Sequence, residues 1–219
     1  MFEEQVLIKV TKEIQDRTKG FTDEFLKVHD IVFVEGRPKI ERIDKEREDE
    51  IVVAYLLVKE ASFYLALYFD NKENLNLLGA GTEPYSSVYF CANSSELNVD
   101  DLSALTTLGV IARWTKGQKE QNGPGFHNYS RIEIESNPGP DDVVNKIKKL
   151  LDILEKDKDG IKRLVDTAFG NVQVDMRFHV GNKMLFGAPK LDNKTINRLS
   201  ELDLSLRFNL YAEGKFFKE

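Results

Sequence analysis

The chain has 219 residues, 41% of them hydrophobic and 31% charged, with a formal net charge of -6. That balance excludes a disordered polymer and allows one large domain or two small ones, each able to bury a core. An acidic chain without a clustered basic stripe argues against nucleic acid, and its charge fits solubility first and a basic partner second.

From the N-terminus, Phe2, Val6, Val10 and Ile14 recur four apart, which predicts an amphipathic helix over residues 2–18 ending at Gly20. Val6, Ile8 and Val10 also alternate, so a strand stays open there. Residues 21–28 follow as a second short helix and 31–34 as a short strand. The run 37–50 interleaves charges of both signs, the pattern of a solvated helix face or a mobile connection. Residues 51–59 and 63–70 are nearly continuous in apolar side chains and read as a hairpin buried on both faces. A short strand at 75–78 and a break at 79–84 place a domain boundary near residue 82. The chain is therefore expected as 1–82 and 83–219.

Beyond that break, residues 86–92 form a strand, and 99–108 a helix with Asn98 as N-cap and Gly109 past its end. Residues 130–135 alternate, with Ile132 and Ile134 inward. Val143, Val144, Ile147, Leu150, Leu151 and Leu154 make the stripe of a helix over 140–155, and 161–169 continue as another. Two alternating segments, 172–179 and 204–211, bracket one short capped helix. Each segment has an apolar face, Val172, Val174, Met176 and Phe178 in one and Leu204, Leu206, Phe208 and Leu210 in the other. The order predicts an α+β protein: a C-terminal ferredoxin-like (split βαβ) sheet with helices on one face and an extra helix pair, preceded by a smaller α+β subdomain.

These residues also carry a resemblance. Val88-Tyr89-Phe90, the helix after Asn98, Trp114-Thr115-Lys116-Gly117, Arg131-Ile132-Glu133-Ile134, the 143–154 helix and the ending Leu202-Asp203-Leu204-Ser205-Leu206 with Leu210-Tyr211-Ala212 resemble the bacterial family of domain of unknown function 4279, over about residues 85–214. The resemblance implies the fold and no established activity. Relatives of this general kind imply, by analogy, an inhibitor or immunity partner.

Chemistry is sparse. One cysteine, Cys91, permits no intramolecular disulfide and no cysteine metal cage. His29, His127 and His179 show no metal-ligand spacing, no G-x-S-x-G elbow occurs, and Gly79-Ala80-Gly81 leads into a strand where a nucleotide fingerprint opens a helix. Asp100-Asp101 and Asp141-Asp142 lie at helix N-termini, where the dipole explains them. No cofactor, metal or catalytic residue is expected. Met1-Phe2-Glu3-Glu4 lacks a signal-peptide pattern and no apolar run approaches about eighteen residues, so a cytoplasmic protein off the membrane is expected.

Two surfaces remain as binding candidates. The first is the 110–129 segment, which has little periodicity and gathers Arg113, Trp114, Lys116 and His127. The second is the polar side of the closing strands, with Asp175, Arg177, His179 and Arg207. The expected function is a non-enzymatic protein-binding module of the inhibitor or immunity kind, with a basic partner. The alternative is a small-ligand-binding or enzymatic domain whose site lies between the N-terminal subdomain and the C-terminal sheet.

Overall fold

A computed structural model describes residues 2–47, 50–121, 123–181 and 189–217. Glu48 and Asp49 of the charged run and Asn122 of the 110–129 segment lie outside the described residues. The protein is mixed α+β, with helices and antiparallel strands in two compact units. Met1–Ser86, Met176–Phe186 and Leu210–Glu219 make the first, and Ser87–Asp175 with Gly187–Asn209 the second.

In the first unit, α1 (Phe2–Asp16) buries Val6, Val10 and Ile14, the four-residue stripe that its sequence predicts. Glu13 is buried beside them and caps the entry to α2 (Gly20–Leu26) by accepting from the amides of Thr18 at 3.2 Å and Lys19 at 3.0 Å. The two-residue strands β1 (Phe33–Val34) and β2 (Arg37–Pro38) are joined by Glu35 and Gly36 at φ 51° and 77°, the doubly positive φ of a tight hairpin turn.

Next come β3 (Ile40–Asp44), β4 (Ile51–Leu57), β5 (Phe63–Asp70) and β6 (Leu77–Ser94), each antiparallel to the last. The β4–β5 hairpin is the predicted one, in register from Ile51 opposite Asp70 to Leu57 opposite Tyr64. Its alternation sends Val52, Ala54, Leu56, Leu65 and Leu67 into one core with α1, and Val53, Tyr55, Tyr64 and Ala66 into a second cluster. Near-continuous apolar sequence thus reflects burial on both faces.

Two expectations need correction here. Residues 37–44 of the charged run are neither a helix face nor a loose connection: they carry β2 and β3, and Ile40 and Ile43 pack on the core. As the end strand of its sheet, β3 carries interleaved charges that oppose pairing with another chain. Residues 79–84 are no break either but the middle of β6, with Gly81 opposite Ala66 and Pro84 opposite Phe63. A Cβ on Gly81 would meet the Tyr68 ring at 3.3 Å, so the glycine makes room for a neighbour rather than a turn.

The second unit holds α3 (Val99–Ser103), β7 (Ile111–Trp114), β8 (Ser130–Glu135), α4 (Val143–Leu154), α5 (Lys158–Ala168) and α6 (Asn193–Glu201), with β6 from Ser87, β9 (Asn171–His179) as far as Asp175 and β10 (Leu206–Glu213) as far as Asn209. Its strand order is β7-β8-β6-β9-β10. Asn98 caps α3 through a full capping box with Asp101. The helix stops at Ser103 rather than continuing to 108, because Asp157 captures the loop that follows: it accepts from Thr106 Oγ1 at 2.8 Å and from the Thr107 amide at 2.6 Å. Asp142 caps α4, whose Ile147, Leu150, Leu151 and Leu154 are buried as predicted.

The predicted apolar side of β10 is covered only before and at its start. Leu204 is buried, but Phe208 and Leu210 are 41% and 55% exposed, since β10 ends the strand order with a neighbour on one side only. No described helix is long and apolar enough to cross a membrane.

Candidate binding surface

The 110–129 segment is a strand and a ribbon rather than an aperiodic loop. β7 pairs with β8, with Ala112 opposite Ile132. Beyond Trp114 the chain continues as a narrow ladder, in which the Gly117 amide donates to the His127 carbonyl at 2.8 Å and the His127 amide to Gln118 at 2.9 Å. Gly117 sits at φ +83°, a conformation that favours glycine. Alternation failed to reveal this ribbon because its polar and apolar residues do not follow a buried and a wet face.

The ladder lays His127 flat on Trp114, with ring centroids 4.4 Å apart at 10°. Arg131 holds its guanidinium 5.6 Å from the Trp114 ring and 5.7 Å from the Tyr89 ring. Lys116 is used structurally, its ammonium donating to the Ser95 carbonyl at 2.8 Å. Arg113 and Trp114, with Gln118, Lys119 and His127, wall an open groove of about 510 Å³.

From this ribbon a polar network runs across the sheet face. Buried Glu133 accepts from Arg131 at 2.7 Å and from Arg113. Arg131 also reaches Asn93 Oδ1 at 3.3 Å. Tyr89 donates to Asp175 at 2.8 Å, and Asp175 accepts further from Asn209 at 2.8 Å and Gln173 at 3.0 Å. Burial and the bond to Asp175 raise the Tyr89 phenol above its usual range, and burial pushes the Cys91 thiol up, which keeps it unreactive. Burial works against the charge on Arg131, yet its surroundings, Glu133 among them, hold it firmly protonated.

Of the residues singled out from sequence, Arg113, Trp114, Lys116 and His127 therefore gather on one ribbon, and Asp175 lies on the network that Arg131 and Tyr89 extend. Arg207 is exposed on β10. Arg177 and His179 belong to the first unit. Arg177 sits 5.6 Å from the Tyr211 ring and pairs with Glu213 at 3.7 Å. His179 is fully buried against His29. Neither the bridging role of Glu133 nor the partnership of His29 had a sequence signal, since both depend on strands and ends brought together by folding. No group of three or more His, Cys, Asp or Glu that could hold a metal ion occurs among the described residues.

The family model described as Domain of unknown function (DUF4279) matches residues 83–213, more than half of the chain, and the chain belongs to that family. No curated protein and no solved structure matches it.

Proposed function

We propose that this member of the DUF4279 family is a non-enzymatic binding module that engages a protein partner through the β7–β8 ribbon. The observation that carries this is the flat stack of His127 on Trp114, held beside Arg131 and next to Phe126, which is 61% exposed. Aromatic and arginine side chains on a pre-positioned ribbon supply binding energy at little ordering cost. The net charge of -6 supports a basic partner by long-range steering, as an inhibitor or immunity protein would use it. The order β7-β8-β6-β9, with α3 before β7 and α4 and α5 before β9, supports a ferredoxin-like (split βαβ) reading of the second unit.

Native pull-down from the source cell tests this, comparing the wild type with Phe126→Ser. A reproducible partner whose recovery falls about tenfold or more with the variant, at unchanged thermal midpoint, is expected. No partner, or one retained equally by the variant, overturns it. A second reading, a small ligand in the groove walled by Trp114, Lys119 and His127, is favoured by the groove's size. It predicts quenching of Trp114 fluorescence by a small-molecule fraction of the lysate in the absence of any protein partner.

A further inference from the structure

His29 follows α2 and His179 ends β9, yet their rings meet Nε2 to Nε2 at 2.9 Å within the first unit. The backbone donors around them assign the protons. The Gly181 amide donates to His179 Nδ1 at 3.0 Å, so neutral His179 carries its proton on Nε2 and donates it to His29. The Lys215 amide donates to the same His29 Nε2 at 3.3 Å, which leaves the proton of His29 on Nδ1. Every bond in this chain requires neutral rings. A second proton on His29 Nε2 would point at two N–H donors, and one on His179 Nδ1 would point at the Gly181 amide. The same pattern is wrong for a metal, whose histidine ligands normally donate through the nitrogen that does not bind it.

The enclosure is apolar. Phe217 stacks on His179 at 4.9 Å, Phe63 meets it edge-on at 5.1 Å, and Phe25 lies 4.9 Å from His29. Gly181 and Gly214 press against the His179 ring, where an added Cβ would come within 2.8 and 3.0 Å. The charged groups on the surrounding elements do not compensate a second proton. On α2 the rings face Phe25, while Asp23 pairs with Lys27 and Arg17. The start of β5 presents Phe63, and Ser62 before it donates its amide to Glu213. Arg177 of β9 is the salt-bridge partner of Glu213 on β10. The tail brings Lys215, whose positive charge opposes protonation of His29, and His29 in turn opposes charge on His179. Burial is the largest cause and holds both rings below the ordinary histidine value.

We infer that the His29–His179 pair is a proton-sensitive latch that holds the C-terminal tail, residues 214–217, on the first unit and releases it when a ring takes up a proton. The docked tail binds fewer protons than the released one, so docking is complete above the ordinary histidine value of about 6.5 and weakens as pH falls below it. Release grows by about tenfold per pH unit for one proton and about a hundredfold for two.

Full-length protein with 15N-labelled histidine tests this directly. At pH 7.5 the ring nitrogens should report neutral His179 protonated on Nε2 and neutral His29 protonated on Nδ1. Amide exchange, corrected for its intrinsic pH dependence, should show Lys215 opening at least tenfold more between pH 7 and 5.5 while Leu65 in β5 stays protected. His179→Phe, which keeps the aromatic enclosure, should reduce the pH slope of Lys215 opening to that of one proton. Either ring charged at pH 7 with Lys215 still protected, a Lys215 opening flat from pH 7 to 5, or Leu65 opening in step with Lys215 would overturn the latch.

Discussion

Arg131 and Glu133, two residues apart on β8, point to the same face of the sheet and are joined by a 2.7 Å hydrogen bond. The carboxylate is buried and is paired by the two guanidinia beside it, Arg131 on its own strand and Arg113 from β7. Arg131 then passes the connection on to Asn93 and Tyr89, which makes it the joint between the ribbon and the rest of the polar face.

Removing that joint leaves a buried carboxylate half-paired. Arg131→Met should cost about 2–3 kcal/mol in urea denaturation, and Arg131→Lys less, because it keeps the charge and loses the fork. A cost below about 0.5 kcal/mol for the Met variant would mean that Arg113 alone satisfies Glu133.

Glu13 closes the turn between α1 and α2. Although burial pushes its carboxyl up, the bonds from Thr18 and Lys19 hold it below its usual value of 4.5. Its contribution is therefore present above pH 4.5 and lost as pH falls through the folded value. Glu13→Gln should lower stability at pH 7 by about 1–2 kcal/mol and shrink the loss between pH 5 and 3, read as thermal midpoints across that range.

Asp157 ties the loop after α3 to the start of α5, where it also accepts from the Gly160 amide at 2.9 Å. Bonds from the Thr107 amide and Thr106 hydroxyl pull its carboxyl down to about 2. Asp157→Ala should cost about 1–2 kcal/mol at pH 7, mostly as a lost cap, and the wild-type advantage should persist until pH falls below about 3.8. A variant whose Thr107 amide stays protected from exchange would refute the tie.

Gly214 stands at φ +92°, and a Cβ there would come within 3.0 Å of both His179 and Phe63. Gly214→Ala should destabilise the docked tail by about 1–3 kcal/mol, through backbone strain and this close approach together. Proteolysis near the C-terminus at pH 7.5 measures it, and an unchanged cleavage rate would show that the tail tolerates the added methyl.

Much of the secondary structure was legible because it follows local rules. The 51–57 and 63–70 strands, the α4 stripe and the Asn98 cap each depend on residues within a few positions of one another. The misreadings share one cause. In 37–44 and 79–84 the charges, glycines and proline looked like a connection, yet pairing with β4 and β5 makes strands of both segments. In 110–129 the ribbon is held by Gly117–His127 and Gln118–His127 backbone bonds, and backbone bonding leaves no trace in side-chain periodicity.

The candidate surface divides the same way. The sequence by itself determined which side chains each strand sends to its polar face, because alternation is a property of the extended chain: Arg131 with Glu133, and Asp175 with Arg177 and His179. Only the tertiary structure decided what those side chains meet. It joined Arg131 to Tyr89 and Asp175 on one network, and turned His179 from an outward polar residue into the buried partner of His29. A strand's own period assigns a face, but hydrogen-bond partners and burial are set by other segments, here 150 residues away in the chain.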